Sequence, residues 1–278
     1  MSGAPVLALH PAGGDGPPAL LLHGFGADRL SWLANQGEIG RVATVLTLDL
    51  PGHGAAPFGG DASLEATAAA VAAALDGAGL GPVHLVGHSL GGAVAVTLAA
   101  TRPDLARSLA LIAPAGLGAP VSPDFLTLYP AAETPEAAEA VMRTLVARPR
   151  LINRMMVARV LEQLAVPGAR TALRAFAGTL GGIGPALAPH AAAVAAGDLP
   201  RLVLWGDGDT IVPRDPARLA AFGGEVVVVE GAVHLPHMEN ARAVNEALVR
   251  FLQRVEQGPE QGVGGDAQPT EDHGETAP

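Results

Sequence analysis

Residues 87–92, Gly-His-Ser-Leu-Gly-Gly, place one small hydroxyl group between glycines, after an apolar run and before a run rich in Ala and Val. A sharp strand-to-helix turn can raise the Ser89 hydroxyl above a sheet, and side chains two residues before and after it would collide there. Gly87 and Gly91 occupy those two positions. The pattern predicts a nucleophilic serine, and a serine that merely caps the following helix is the alternative.

A serine hydroxyl becomes an effective nucleophile only beside a base, and the base in turn needs an orienting carboxylate. Two apolar runs further along the chain are each followed by candidates for these roles. Asp207 and Asp209 follow the first run, and His234 and His237 follow the second. The order serine, acid, histidine is the one that enzymes with such a turn use. The alternatives are turn-forming aspartates and loop or capping histidines.

A carbonyl under attack also needs backbone N–H groups that stabilise its developing negative oxygen. The N–H of Leu90, at the start of the predicted helix, is the first candidate, and the helix dipole would assist it. The second is the N–H of Phe25 in the sequence His-Gly-Phe-Gly, which follows another apolar run. An ordinary glycine turn is the alternative for that motif.

The composition excludes several other chemistries. All 17 basic residues are arginines, so no lysine can form a Schiff base, bind phosphate in a Walker loop or carry lipoyl or biotin. The absence of cysteine removes thiol catalysis and thiolate metal sites. We expect no metal and no cofactor, since His23, His53, His84 and His88 belong to separate turns or strands. The net charge of −10, without a basic run, argues against a nucleic-acid partner.

The elements that must position these residues are short runs of Val, Ile and Leu that alternate with helix-like segments. Because the runs are almost continuously apolar, they suit strands that are covered on both faces. Such alternation indicates a doubly wound α/β domain with a mostly parallel sheet. The predicted strands are 19–22, 43–48, 83–86, 108–112, 201–205 and 225–230, and the predicted helices are 63–75, 89–101, 137–147, 151–164, 170–180 and about 239–255.

The alternation is interrupted once, between residues 118 and 197, where only helix-like pieces occur. A helical insertion between two strands is most simply a lid over the carboxyl edge of the sheet, where such folds bind ligands. The segment from Glu256 onward is acidic and almost without apolar residues, so we expect a disordered tail. The predicted division is a first core part at 1–117, a lid at 118–197, a second core part at 198–255 and a tail at 256–278.

Five segments resemble, in order, landmarks of the α/β-hydrolase superfamily. A longer stretch around Ser89 is also similar to the hydrolase-like portion of the dihydrolipoyl acetyltransferase component of bacterial acetoin dehydrogenase, and to related esterases. The five segments are HGFGAD (23–28), DLPGHG (49–54), GHSLGG (87–92), WGDGDTIVP (205–213) and GAVHLPHMENARAVNEALVRFL (231–252).

The resemblance implies the α/β-hydrolase fold, and by position it assigns the nucleophile to Ser89, the acid to Asp209 and the base to His234. The family usually has glycine directly before that histidine, whereas this chain has Val233. His237 is the less suitable base, because it stands at a predicted helix start, where the positive helix end disfavours an imidazolium.

These observations predict a serine hydrolase that cleaves carboxylic ester or thioester bonds through an acyl-enzyme on Ser89, with the N–H groups of Phe25 and Leu90 as oxyanion hole. The substrate is expected to be a small molecule with a small to medium apolar acyl group, since the insertion is rich in Ala, Leu, Val and Met. Two alternatives stay open. One is an acyltransferase or assembly module related to the acetoin dehydrogenase complex, and the other is a cofactor-free perhydrolase.

Neither a membrane partner nor an export signal is expected. No run approaches the roughly 18 apolar residues that span a bilayer, and the first residues lack the basic leader of a signal peptide. We therefore expect a cytoplasmic protein.

Overall fold

A computed structural model of the chain describes residues 6–258. Its seven strands are β1 (His10–Gly13), β2 (Pro18–Leu22), β3 (Thr44–Leu48), β4 (Val83–His88), β5 (Ala106–Ile112), β6 (Arg201–Gly206) and β7 (Glu225–Val229). They form one sheet in the order β1-β3-β2-β4-β5-β6-β7. Every neighbouring pair is parallel except β1 and β3, which are antiparallel. The predicted mostly parallel sheet is confirmed.

Helices connect the strands and cover the sheet. Among residues 6–258, no helix combines the length and the apolar character that crossing a bilayer takes. The helices are α1 (Gln36–Ile39), α2 (Leu64–Gly77), α3 (Leu90–Thr101), α4 (Pro123–Ala131), α5 (Pro135–Arg143), α6 (Arg154–Ala165), α7 (Ala169–Gly181), α8 (Ile183–Ala195), α9 (Pro216–Phe222), α10 (Pro236–Glu239) and α11 (Ala241–Gln257), with 3₁₀ turns at Arg29–Trp32, Pro103–Leu105 and Pro149–Leu151.

Two apolar cores pack against opposite faces of the sheet. Leu20 and Leu22 of β2 belong to the larger core, whereas Ala19 and Leu21 belong to the smaller one. This division follows from the alternation of side chains along a strand. The larger core contains α2, α3 and the buried side of the insertion, and the smaller one contains α11. Burial on both faces is the reason why strands β2 to β6 are almost continuously apolar in sequence, whereas the equally apolar edge strand β7 leaves Val226 and Val228 exposed.

The segment between β5 and β6 consists of helices α4 to α8. Three of these helices begin at a polar residue whose side chain accepts a hydrogen bond from a backbone N–H of the first turn: Ser122 for α4, Thr134 for α5 and Asn153 for α6. Such caps satisfy N–H groups that have no partner within the helix. Helix α8 packs against α3, which follows Ser89, so the insertion is joined to the core.

The sequence did not predict strand β1 or helices α1, α4, α8, α9 and α10. The edge strand β1 has the sequence His-Pro-Ala-Gly and carries no apolar run that would indicate a strand. Helices α4 and α8 contain Pro130 and Pro189 inside the helix, and such prolines normally indicate a helix end. Helix α4 packs against α5 and α7, helix α8 packs against α3, and this packing overrides the local signal.

The start of the predicted tail was placed too early. Glu256 and Gln257 are the last residues of α11 rather than part of a disordered segment. The carboxylate of Glu256 accepts hydrogen bonds from Arg107 Nη1 at 3.0 Å, which attaches the end of the helix to β5. The rest of the predicted tail, residues 259–278, lies outside the described residues.

Candidate active site

The loops after β2, β4, β6 and β7 carry the predicted chemistry. These strands are parallel, so their carboxyl ends share one edge of the sheet. Ser89 follows β4 directly, Asp209 lies three residues after β6 and His234 lies five residues after β7. Residues 23–28 follow β2 and are called the 23–28 loop below. The strand order thus assembles residues that are far apart in the chain.

Ser89 has a strained backbone. Its φ of 51° lies in the left-handed region, and α3 begins at the next residue. A Cβ atom on Gly87 would lie 2.5 Å from the carbonyl oxygen of Gly91, and one on Gly91 would lie 2.2 Å from that of Leu22. Both positions therefore require glycine, as the sequence pattern predicts. Strain of this kind costs roughly 1–3 kcal/mol and is typical of functional sites.

The structure brings Ser89, His234 and Asp209 into one hydrogen-bonded chain. His234 Nε2 lies 3.0 Å from Ser89 Oγ, and His234 Nδ1 lies 2.9 Å from Asp209 Oδ2. A carboxylate can only accept, so Nδ1 carries the proton and Nε2 is free to accept the proton of the serine hydroxyl. All three residues are buried. This tautomer is the one that a histidine base requires.

Asp209, and not Asp207, reaches the histidine. Its second carboxylate oxygen, Oδ1, accepts from the backbone N–H groups of Ile211 and Val212, both at 2.9 Å. These bonds fix the carboxylate so that Oδ2 points at the imidazole. Asp207 is exposed and has no such contact.

The two predicted oxyanion donors flank the serine. Leu90 is the first residue of α3, and Phe25 lies in the 23–28 loop. Neither N–H has an acceptor among the described residues. A Cβ atom on Gly24 would lie 3.3 Å from Ser89 Cβ, so the loop approaches the serine closely. Two N–H groups are therefore available beside the hydroxyl.

His23 fixes the start of the 23–28 loop. Its Nε2 accepts from the N–H of Leu50 at 2.9 Å, so the proton is on Nδ1, which donates to the carbonyl of Gly24 at 2.8 Å. Burial lowers the pKa of His23 and keeps it neutral, as this pair of bonds requires. A turn closed by Ala27 N–H and Gly24 carbonyl follows.

Asp49 secures the residue that follows this loop. It accepts from the backbone N–H and from Nη1 of Arg29, at 2.9 and 2.8 Å, and from the N–H of Ala55 at 3.0 Å. Burial raises the pKa of the Asp49 carboxyl, but the N–H groups of Ala55 and Arg29 outweigh it and the pKa is lowered. Asp49 is thus a charged structural anchor.

His88 is a site residue that the sequence did not reveal. Its Nε2 donates to the carbonyl oxygen of His234 at 2.8 Å, and a Cβ atom on Gly24 would lie 2.6 Å from its Nδ1. It therefore contacts both the backbone of the histidine and the 23–28 loop. Burial, and then the nearby His237 and His234, hold the pKa of His88 well below its ordinary value. A neutral ring there avoids repulsion of a protonated His234.

His237 packs instead of reaching the serine. It lies in α10, fully buried, with its ring 4.9 Å from that of Trp32 and 4.6 Å from that of His88. Burial, and then His234, lower the pKa of His237 to about 3. The ring of His237 therefore packs against these two aromatic side chains.

Val233 does not disturb the histidine loop. Among the described residues, only Ser89 and Ala113 have a positive φ without being glycine, so Val233 adopts a backbone that any residue accepts. Its N–H donates to Glu239 Oε1 at 2.7 Å, and the N–H of His234 donates to the carbonyl of Leu145 in the insertion at 3.1 Å. The departure from the usual glycine therefore carries no strain.

Metal-ligating side chains are not clustered in residues 6–258. No group of three or more His, Cys, Asp or Glu residues there is arranged to hold a metal ion.

A family model for the alpha/beta hydrolase family matches residues 19–247. The chain belongs to the alpha/beta hydrolase family. The resemblance noted in the sequence is thereby confirmed. Solved structures agree with the fold: an esterase from Thermogutta terrifontis is 29% identical, with a TM-score of 0.70 over 90% of this chain and 93% of that one. A 2-hydroxy-6-oxo-6-phenylhexa-2,4-dienoate hydrolase from Rhodococcus has a TM-score of 0.80 at 22% identity, covering 91% and 96%.

The curated relatives include components of acetoin cleaving systems and esterases. The acetyltransferase component of the acetoin cleaving system of Pseudomonas putida is 36% identical, over 91% of this chain and 68% of the relative. Its counterpart from Cupriavidus necator is 34% identical, over 86% and 64%, so this chain spans about two thirds of the length of these proteins. A pimeloyl-[acyl-carrier protein] methyl ester esterase of Neisseria meningitidis is 32% identical, over 84% and 93%. The family, together with esterases among its relatives, supports a hydrolase activity.

Proposed function

We propose that the protein is a serine hydrolase that cleaves carboxylic ester or thioester bonds. The observation that carries this proposal is the hydrogen-bonded chain from Ser89 through His234 to Asp209, on a strained turn beside two free N–H groups. No other described part of the chain combines a nucleophile, a base and donors for an oxyanion. The esterases among the relatives support the same reaction class.

The proposed reaction has two halves. Ser89 Oγ attacks the substrate carbonyl while His234 Nε2 takes the hydroxyl proton, and Asp209 stabilises the imidazolium that forms. The N–H groups of Phe25 and Leu90 stabilise the oxyanion, and collapse of the tetrahedral intermediate expels an alcohol or thiol that receives the proton from His234. Water, activated by the same histidine, then releases the carboxylic acid and restores the serine.

We propose that the helical insertion is a lid. The acyl group of the substrate would bind in the space beneath it. A cavity of about 550 Å³ lies between residues 26–27, residues 52–58 and helices α6 and α7, and neither Ser89 nor His234 lines it. Its wall is partly apolar, with Phe58, Tyr129, Leu164 and Leu173 among the lining residues. This volume lies in the range that holds small ligands. It suits a small to medium acyl group.

The proposal is tested with p-nitrophenyl esters of graded acyl length, acyl-coenzyme A thioesters and a fluorophosphonate probe. We expect hydrolysis of short or medium esters and covalent labelling at Ser89. Replacement of residues 118–197 by the insertion of a related hydrolase should change the preferred acyl length and leave labelling intact. If the folded protein is not labelled, the proposed mechanism is wrong. If the preferred acyl length does not change, the insertion does not form the acyl site.

Acyl transfer is the second candidate, favoured by the similarity to the acetoin-system components. This sequence has no lysine that could carry a lipoyl group, so an acceptor thiol would have to come from outside these 278 residues. Arg150 and Arg154 are exposed on the insertion and form no ion pair among the described residues, which would suit an anionic carrier. Acyl-coenzyme A incubated with and without a second thiol separates the two reactions, because only transfer yields a new thioester. Substitution of hydrogen peroxide for water in the same assay tests perhydrolysis.

A further inference from the structure

Helix α4 of the insertion contacts the 23–28 loop at two consecutive residues. The hydroxyl of Tyr129, the single tyrosine of the chain, donates to the carbonyl oxygen of Gly26 at 2.6 Å. The ring of Phe25 lies 5.8 Å from the ring of Tyr129 and 5.8 Å from that of Phe125. One helix thus holds both the side chain of Phe25 and the carbonyl of the next residue.

The fit at this contact is close. Gly26 has a φ of 72°, and a Cβ atom there would lie 2.3 Å from Cε1 of Tyr129. Tyr129 is buried, and burial raises the pKa of its hydroxyl above the ordinary value, so the group remains a donor. The tyrosine ring therefore restricts the position of the loop at Gly26.

Helix α6 holds the end of the same loop. Asp28 Oδ2 accepts from Arg159 Nη2 at 3.0 Å and from Gln163 Nε2 at 2.6 Å. The core fixes the start of the loop through His23, whereas the insertion contacts Phe25, Gly26 and Asp28. Correct placement of the Phe25 N–H thus depends on residues outside the core.

We infer that Tyr129 is a positioning residue that holds the Phe25 N–H at the place where the oxyanion develops, so that docking of the insertion completes the oxyanion hole. This inference rests on the proposed hydrolase function. Donors stabilise a transition state most when they are held in place before the reaction, because no energy is then spent on orienting them. The tyrosine acts through the loop and does not touch the reacting atoms.

The test compares Tyr129→Phe with a matched control. Tyr129→Phe removes only the hydroxyl and keeps the ring against Phe25. The control is Thr179→Val, which removes another hydroxyl that joins the insertion to the core, from Thr179 Oγ1 to the carbonyl of Ala62 at 3.0 Å. For both variants kcat/KM is measured with p-nitrophenyl butyrate, Ki with phenylboronic acid, and Tm by thermal unfolding. The boronate forms a tetrahedral adduct with the serine and thus reports stabilisation of the transition state.

For Tyr129→Phe we expect kcat/KM to fall about 10-fold and Ki to rise by the same factor, a smaller effect than the roughly 10²-fold loss of a direct donor. Thr179→Val should lower Tm similarly but leave kcat/KM and Ki within about twofold of the wild type. Unchanged kcat/KM and Ki in Tyr129→Phe, with full activity in the wild type, would overturn the inference and leave the hydrolase proposal standing. If both variants lose kcat/KM and boronate affinity equally, the tyrosine contact only attaches the insertion to the core and does not position the Phe25 N–H. A wild type that neither hydrolyses the ester nor binds the boronate would instead refute the proposed function.

Discussion

Two clusters of the molecule bring together a serine, a histidine and a carboxylate, at opposite ends of the sheet. At the carboxyl edge these are Ser89, His234 and Asp209. Near the amino end of β4, His84 Nδ1 lies 2.8 Å from Ser108 Oγ, and His84 Nε2 lies 3.1 Å from Glu256 Oε1, but this second contact lacks hydrogen-bond geometry. The distances are almost the same, so distance alone does not distinguish a nucleophile from a structural serine.

The backbone distinguishes them. Ser108 lies inside β5, directly opposite His84 in the parallel ladder, and is fully buried. Ser89 stands beyond the end of its strand with a φ of 51°, beside the free N–H groups at the start of α3 and in the 23–28 loop. Catalysis needs donors for an oxyanion, and of the two serines only Ser89 lies beside N–H groups without an acceptor. The turn at Ser89, more than the three residue types, distinguishes the candidate active site from the cluster at Ser108.

The largest expected effect separates the two serines. Ser89→Ala should abolish fluorophosphonate labelling and lower the rate of ester hydrolysis at least ~10³-fold, as removal of a triad member does. Ser108→Ala should keep the labelling and most of the rate, because Ser108 lies in a strand without access to substrate. The measurement is labelling followed by peptide mapping, together with kcat/KM. Labelling that persists in Ser89→Ala would show that Ser89 is not the nucleophile.

The next effect separates two histidines at the carboxyl edge. His234→Ala should slow ester hydrolysis about 10³-fold and slow phosphonate labelling, because Ser89 loses its base. His237→Ala should retain most of both, since that ring packs against Trp32 and His88. Rates of labelling and kcat are measured for both variants. The reverse pattern would move the base to His237.

Local features of the sequence predicted most of this edge. The apolar runs, the two glycines around Ser89 and the order of serine, acid and histidine depend on neighbours in the chain, and they placed six of the seven strands within a few residues. Contacts between distant residues left no such signal. His88 and His234 are 146 positions apart, and Tyr129 and Gly26 are 103 apart. Only the folded chain brings these pairs together, so neither His88 nor Tyr129 stood out in the sequence.

Acid should destabilise the carboxyl edge of the sheet more than the amino end, where burial lowers the pKa of one histidine, His84. The carboxyl edge buries four histidines with lowered pKa, namely His23, His53, His88 and His237. For His237 the folded-state pKa is about 3, below the ordinary 6.5, so the unfolded chain binds the proton first. Stability is therefore lost as the pH falls from about 6.5 towards 3.

His237→Phe removes one of these titratable groups and keeps an aromatic ring beside Trp32. On going from pH 7 to pH 5, the variant should lose about 2 kcal/mol less unfolding free energy than the wild type, as linkage gives for a pKa of about 3 against 6.5. Both ring nitrogens of His237 have no hydrogen-bond partner in the described residues, so the change should be tolerated at pH 7. Urea unfolding at the two pH values measures the difference. Equal losses in variant and wild type would show that His237 is not held neutral.

The smallest effect is expected at the amino end, where Glu256 joins α11 to β5. The carboxylate of Glu256 is bound by Arg107 and lies against the buried His84, but the ion pair is about one third exposed. Exposed pairs contribute about 0–1 kcal/mol, so Glu256→Gln should lower the free energy of unfolding by no more than about 1 kcal/mol and leave turnover unchanged.

Two shortened chains test how much the end of α11 contributes to stability. A chain that ends after Arg254 loses Glu256 and also Val255, which packs against the smaller core, so its unfolding free energy should fall by about 1–2 kcal/mol. A chain that ends after Gly258 keeps both residues and should match the full-length protein in Tm and in turnover. If the first chain is as stable as the second, the contact of Glu256 with Arg107 has no stabilising role. A loss of turnover in either chain, without a loss of stability, would connect the amino end of the sheet to catalysis and end the distinction between the two clusters.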